Sequence, residues 1–268
     1  MPGRALSLIF NEKELIMENK LHAWNKIPAI TLLFWIMKIT ATTLGETGGD
    51  LLAQTMNVGY GTSTMIFFGF FIIMLTAQLI SKKYIPPVYW AVIVATSTAG
   101  TTMSDYMDRT LELGYTVGSI ILVSMLILVL VIWRLTEKTL SVTEVSTRRG
   151  EIFYWTAILF SNTLGTALGD FLADDSGLGF GGSALLITGI LLLVVAAYYF
   201  TKISRIVLFW IAFVLTRPFG ATFGDLLTKS KEKGGLGYGT EGATIILTAI
   251  LIGLVIYEMT KMKKSIPA

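Results

Sequence analysis

Apolar residues gather into eight long blocks, separated by short polar or glycine-rich stretches. The blocks fall at about residues 27–45, 62–80, 85–103, 115–133, 151–168, 180–200, 203–223 and 242–260. Each approaches the roughly 20 residues a helix needs to cross a bilayer core. A soluble bundle of eight such helices would need a polar face on most of them, and most lack one. The pattern predicts an all-α membrane protein with eight transmembrane helices.

A second pattern lies inside the first. When Trp35, Trp90, Trp155 and Trp210 are aligned, glycine stands ten residues later in every copy: Gly45, Gly100, Gly165 and Gly220. A small residue follows at offset 14, as Gly49, Ser104, Gly169 and Gly224, and aspartate at offset 15, as Asp50, Asp105, Asp170 and Asp225. The tryptophans are 55, 65 and 55 residues apart, so the chain reads as two halves of 120-residue period, each made of two copies. Each copy holds two spans. The copies are therefore parallel repeats about an axis along the membrane normal, unlike inverted repeats with an odd number of spans. Four hairpins around that axis are the simplest arrangement. The divisions are a tail at 1–26, a first half at 27–134, a linker at 135–150, a second half at 151–260 and a tail at 261–268.

At about 100° per residue, offsets 0, 7, 11 and 15 share one face of the first helix of each copy. Offset 7 is Thr42, Ser97, Asn162 and Arg217; offset 11 is Glu46, Thr101, Thr166 and Ala221. Lys38 lies on the edge of the same face. Polar groups avoid lipid because an unsatisfied one costs several kcal/mol there, so this stripe is expected to face the bundle interior. The small residues at offsets 10 and 14 have the four-residue spacing that lets helix backbones approach closely. The second spans are almost purely apolar and should face lipid.

Lys38 and Arg217 fall deep in their spans, where each should have a partner. Glu46 and the stripe aspartates are the obvious ones. Glu46 with the four aspartates against Lys38 and Arg217 sums to a formal charge of −3. That favours cations, and an all-oxygen ligand set suits a hard one such as Mg²⁺, Ca²⁺ or Mn²⁺, or a proton. The metal-ligating candidates are Glu46, Asp50, Asp105, Asp170 and Asp225. Lys38, Thr42, Ser97, Thr101, Asn162, Thr166 and Arg217 complete the binding set. The two basic residues would also suit an anionic solute, so the sign of the cargo stays open.

The remaining composition narrows the classes. There is no cysteine, which removes disulfides, iron–sulfur clusters and thiolate metal sites. The single histidine, His22, precedes the first block, which argues against a histidine-based triad or haem in the membrane. No signal peptide is evident in residues 1–26, which read as a tail or as a short interfacial helix with Leu15, Leu21 and Trp24 toward lipid. If all eight blocks cross, 15 of the 21 Lys and Arg lie on the side of the termini, which the positive-inside rule makes cytoplasmic. The opposite loops carry Arg109, Lys229, Lys231 and Lys233 together with most of the carboxylates.

A glycine–aromatic pair precedes every second span: Gly59-Tyr60, Gly114-Tyr115, Gly179-Phe180 and Gly237-Tyr238. Val58-Gly59-Tyr60-Gly61 is close to the T-V-G-Y-G filter of potassium channels. The preceding threonine is absent in all copies, and Thr116 replaces the second glycine in copy two. A turn into the next helix, using glycine at positive φ, is the other reading.

The stretches FWIMKITATTLGETGGDLL (34–52), SNTLGTALGDFLAD (161–174), LTRPFGATFGDLL (215–227) and GGLGYGTEGATIIL (234–247) resemble a bacterial membrane-protein family of four tandem two-helix repeats, each with a tryptophan. Lys38, Thr42, Thr43, Gly45 and Glu46 match its K-I-x-x-T-T-x-G-E motif. The resemblance covers about residues 27–260. It implies the architecture and a multi-pass protein of the bacterial inner membrane, and it supplies neither reaction nor substrate. In that family the glycine-rich stretch more often carries leucine between its glycines, which favours the turn.

The expected function is transport or export of a small ion through the polar stripe, with the bilayer and the ion as partners. A potassium-type channel and a non-transporting sensor or scaffold are the alternatives. An enzyme is not expected, because no phosphate, nucleophile or cofactor motif accompanies the carboxylates, and no cofactor is implied. The basic residues are dispersed among loops, where anionic lipid headgroups account for them, so no nucleic-acid partner is expected. Homo-oligomerisation is left open.

Overall fold

The computed structural model describes residues 26–264, and among them it is all-helical. Of the predicted tail at 1–26, only Lys26 is included; its ammonium pairs with Glu151 at 2.7 Å. His22, Leu15, Leu21 and Trp24 lie outside the described residues.

Eight α-helices follow in order: α1 (Leu32–Asp50), α2 (Tyr60–Ile80), α3 (Pro86–Asp105), α4 (Gly114–Glu137), α5 (Arg148–Asp170), α6 (Gly179–Phe200), α7 (Arg205–Thr228) and α8 (Thr240–Lys264). Their starts have local causes. The Thr31 hydroxyl accepts the Phe34 N–H at α1, and the Thr147 hydroxyl accepts the Gly150 N–H at 2.8 Å at α5. Proline opens α3, where its fixed φ suits the first turn and its missing N–H is not needed. The expected linker 135–150 shortens to residues 138–147, and the last helix runs past residue 260 to Lys264.

The odd-numbered helices form a closed inner ring in which α1 packs on α3, α3 on α5, α5 on α7 and α7 on α1. Glycine makes this ring tight. A Cβ added at Gly45 would overlap Ser97, one at Gly100 would meet Thr163 N at 2.9 Å, one at Gly165 would overlap Arg217, and one at Gly220 would meet Thr42 Oγ1 at 2.6 Å. In each case the offset-10 glycine of one copy seats the neighbourhood of the offset-7 residue of the next, and copy four closes on copy one. Offset 14 repeats the arrangement one turn later, where Gly49 faces Thr101, Gly169 faces Ala221 and Gly224 faces Glu46. The predicted small-residue spacing thus acts between consecutive copies.

The even-numbered helices form an outer layer. The expected hairpins are not packing units: in the first three, the two helices hardly approach each other. Each outer helix instead lies on the inner helix of the next copy, α2 on α3, α4 on α5, α6 on α7, and α8 back on α1. The outer helices expose large apolar residues such as Met65, Ile73, Leu185 and Leu193. Five helices, α2, α4, α6, α7 and α8, are long and apolar enough to cross a membrane. The other three are inner helices diluted by the polar stripe.

The glycine–aromatic segments are turns. Gly59, Gly114 and Gly179 have φ of +82°, +73° and +65°, and Tyr60 and Gly61 already belong to α2. The Gly59 carbonyl accepts the Ser63 N–H as a helical bond, so residues 58–61 do not form an extended row of free carbonyls.

Candidate functional site

All twelve stripe residues singled out from the sequence are buried in the inner ring. They stack in layers along the bundle, and about 18 Å of helix separates Lys38 from Asp50. Below them, at the tryptophan end, the residue before each tryptophan is also aromatic: Phe34, Tyr89, Tyr154 and Phe209. These rings reach across copies, Phe34 to Trp90 at 5.7 Å, Tyr89 to Trp155 at 5.4 Å and Phe209 to Trp35 at 5.8 Å between centroids, and the Tyr89 and Tyr154 hydroxyls share a 2.6 Å hydrogen bond. A groove of about 560 Å³ opens at this end beside Trp35, Tyr198, Phe209 and Ala212; its lining contains none of the twelve stripe residues.

The middle layer holds two fully buried basic side chains with different surroundings. Arg217 touches all three other inner helices. Its Nη2 has Glu46 Oε2 at 2.9 Å, Thr166 Oγ1 at 2.6 Å and Thr101 Oγ1 within reach of its two hydrogens, and its Nη1 donates to the Thr42 carbonyl at 3.4 Å. Lys38 lacks the expected carboxylate. Its ammonium donates to Asn162 Oδ1 at 3.3 Å and lies 4.2 Å from the centroid of the Phe213 ring. Asn162 is oriented by donating its Nδ2 to Thr96 Oγ1 at 2.9 Å. The guanidinium, with a planar fork of five donors, takes the one carboxylate at this depth, and the lysine is left with an amide oxygen and a ring face. The Thr42 hydroxyl has the carbonyls of Lys38, Ile39 and Thr216 within reach of its single hydrogen, at 3.0, 3.0 and 3.2 Å, and Ser97 donates to the Thr42 carbonyl at 3.5 Å.

The aspartate layer contains two cations that the stripe did not include. Lys229 Nζ lies 2.6 Å from Asp50 Oδ2 and 3.2 Å from Asp225 Oδ1. Arg109 Nε lies 2.9 Å from Asp105 Oδ1, and its Nη2 lies 3.0 Å from Asp170 Oδ2. Both stand four residues after their own aspartate, at offset 19, and they are 120 residues apart. The glycine contacts thus follow a fourfold pattern and the ion pairs a twofold one. Burial works against the charge on Lys229, but Asp225 and Asp50 outweigh it and hold the ammonium above its ordinary range. These two residues correct the charge balance of the stripe: its five carboxylates face four cations, which makes the set one charge negative, not three, with the buried Asp108 beside Arg109 as a further carboxylate outside the stripe.

The third carboxylate is unequally placed. Oxygens of Glu46, Asp50 and Asp225 lie within 4.8 Å of one another, all buried. Asp105 and Asp170 have Thr101 and Thr166 at the level of Glu46 and form no such trio. The expected five-carboxylate set therefore divides into a three-residue cluster and a separate pair.

Three copies add a π-helical turn directly after the aspartate, at Leu51–Thr55, Tyr106–Thr110 and Phe171–Asp175. Its wide bonds run from Met56 N to Leu51 O at 2.8 Å, from Leu111 N to Tyr106 O at 2.9 Å and from Ser176 N to Phe171 O at 2.9 Å. Such turns are rare and recur at functional sites. Copy four lacks it: α7 ends at Thr228 and Lys229 is extended.

A family model described as "Repeat of Unknown Function (DUF347)" matches residues 33–84, 88–139, 153–204 and 208–263, one match per copy. No curated protein and no solved structure matches the chain.

Proposed function

The chain belongs to the DUF347 repeat family, and we propose that it is a multi-pass membrane protein that moves a small hard cation through the column enclosed by its four inner helices. All eight helices cross the bilayer in this reading. The outer four supply the apolar jacket, and the excess of basic residues in the loops at the tryptophan end favours that end and both termini on the cytoplasmic side of a bacterial inner membrane.

One observation carries the reading: the four inner helices run parallel and bring five carboxylates together near their C-terminal ends, just before the π-helical turns that extend three of them. A helix C-terminus carries a partial negative charge, so anionic side chains there are opposed by the dipole. Four such ends with five carboxylates outweigh the basic groups paired with them, which leaves the mouth net negative and favours a cation. Structural economy argues the same way, because replacing buried ionic groups with well-packed apolar ones is often neutral or stabilising. Beneath the mouth, Glu46, Arg217, Asn162 and Lys38 continue the polar path down to the aromatic layer. Turns at residues 58–61 favour this column over a carbonyl-filter channel.

A sensor or scaffold is the second reading, favoured by the pairing of Arg109, Lys229 and Arg217 with carboxylates. Lys38, with no carboxylate partner, counts against a purely structural interior. Flux separates the two. In proteoliposomes loaded with a metal-sensitive dye, Glu46→Gln and Asp170→Asn are each expected to slow divalent-cation flux roughly tenfold or more, the equivalent of about 1.4 kcal/mol, while keeping the wild-type elution profile. Wild-type flux in both variants, or none in the wild type for divalent cations or protons, would refute transport by this column.

A further inference from the structure

Arg109 and Lys229 occupy the same position in the two halves, yet they are held differently. Arg109 sits inside a hydrogen-bonded π-helical turn and engages its two aspartates through two different nitrogens. The fork fixes its direction as well as its charge. Lys229 is a point charge on a flexible stem; its backbone is pinned, the N–H donating to the Asp225 carbonyl at 2.9 Å and the carbonyl accepting the Gly237 N–H at 2.9 Å, so the freedom lies in the side chain. The residue begins a loop containing Gly234, Gly235, Gly237 and Gly239, three of them at positive φ.

The carboxylates also differ. On the Lys229 side, Glu46 joins Asp50 and Asp225. Asp225 Oδ1 is buried and, although 3.2 Å from the ammonium, has no aligned hydrogen-bond donor. The trio faces Arg217 and Lys229, which leaves one uncompensated negative charge. A divalent cation in place of the ammonium would make the group neutral. Carboxylate and amide oxygens, with Gln54 at the rim within 3.5 Å of the ammonium, suit a hard divalent ion.

We infer that Lys229 is an exchangeable, tethered counter-cation that fills a divalent-cation site formed by Glu46, Asp50 and Asp225, whereas Arg109 is a permanent clamp on Asp105 and Asp170. The cation enters as the Lys229 side chain swings out on its pinned backbone, and the ammonium returns when the cation leaves. This gives the transport reading its site and the means by which the empty site stays neutralised, and it rests on that reading.

The test is Mn²⁺ binding to the purified full chain in detergent, followed by titration of the free-ion spin-resonance signal. Lys229→Gln removes the competing charge and should bind Mn²⁺ roughly tenfold or more tightly than wild type, as expected when a charge is taken out of a binding site. Lys229→Arg should bind no more tightly than wild type, and adding Asp225→Asn to Lys229→Gln should abolish the gain. Arg109→Gln should give no gain. Equal affinity in Lys229→Gln and wild type, an equal gain in Arg109→Gln, or no Mn²⁺ binding in any variant would overturn the assignment. Flux separates it from the broader reading: wild-type flux with unchanged Lys229→Gln affinity removes the tethered cation alone. Tighter binding without flux removes transport and leaves the site.

Discussion

Replacing Arg217 by methionine, with Glu46 left in place, is expected to cost roughly 3–5 kcal/mol of stability, the usual loss when one partner of a buried ion pair is removed. The geometry gives the reason. One guanidinium ties α7 to α1 through Glu46 and the Thr42 carbonyl, to α3 through Thr101 and to α5 through Thr166. Methionine fills much of the volume and satisfies none of these acceptors, and it leaves Glu46 as a buried carboxylate with the Thr101 hydroxyl, 3.3 Å away, as its remaining donor. The thermal midpoint of the detergent-purified protein should fall by on the order of 10 °C, at roughly 2–4 °C per kcal/mol for a chain of this size. Arg217→Met with Glu46→Leu should recover most of that loss, because the uncompensated charge goes with its partner. A double variant no more stable than Arg217→Met would show that the ion pair is not what holds this layer.

The inner ring was legible because its constraints are local and periodic. Glycine at offset 10 and aspartate at offset 15 can be counted along one helix, and both proved to be packed and buried as that count requires. The outer helices were not legible in the same way. In residues 62–80 Ser63, Phe71 and Gln78, spaced eight and seven apart, mark the one buried face, and that face does not say whether α2 lies on α3 or beside α1. Arg109 and Lys229 lie beyond the apolar blocks and read as loop charges, which hides them from a stripe counted within the helices. Their 120-residue separation, four residues after matching aspartates, was the available signal. Lys38 has an amide oxygen in place of the expected carboxylate for an energetic reason. Two buried cations compete for Glu46, and the guanidinium, which makes several directed bonds at once, outcompetes a single ammonium.

The ring itself predicts a reversal of the usual glycine rule. Glycine inside a helix ordinarily costs about 0.5–1 kcal/mol relative to alanine. At Gly189, on outer helix α6, an added Cβ would meet nothing within 4 Å, and Gly189→Ala should be neutral or slightly stabilising. At Gly100 the same methyl would meet Thr163 N at 2.9 Å and the Asn162 carbonyl carbon at 3.0 Å. Both are backbone atoms of α5 and cannot rotate aside, so α3 and α5 must part. Gly100→Ala should cost roughly 1–3 kcal/mol, the usual penalty of overpacking, and Gly100→Val should lie at or beyond the upper end of that range. The damage would not stay local. Asn162 is held between Thr96 at 2.9 Å and Lys38 at 3.3 Å, so separating these helices withdraws the acceptor that Lys38 uses. Gly100→Ala should therefore lose cation flux more steeply than thermal stability, while Gly189→Ala keeps both. Equal melting and equal flux for Gly100→Val and wild type would mean that the ring is loose enough to breathe at this level, and the close approach of consecutive copies would no longer explain how the polar column is held.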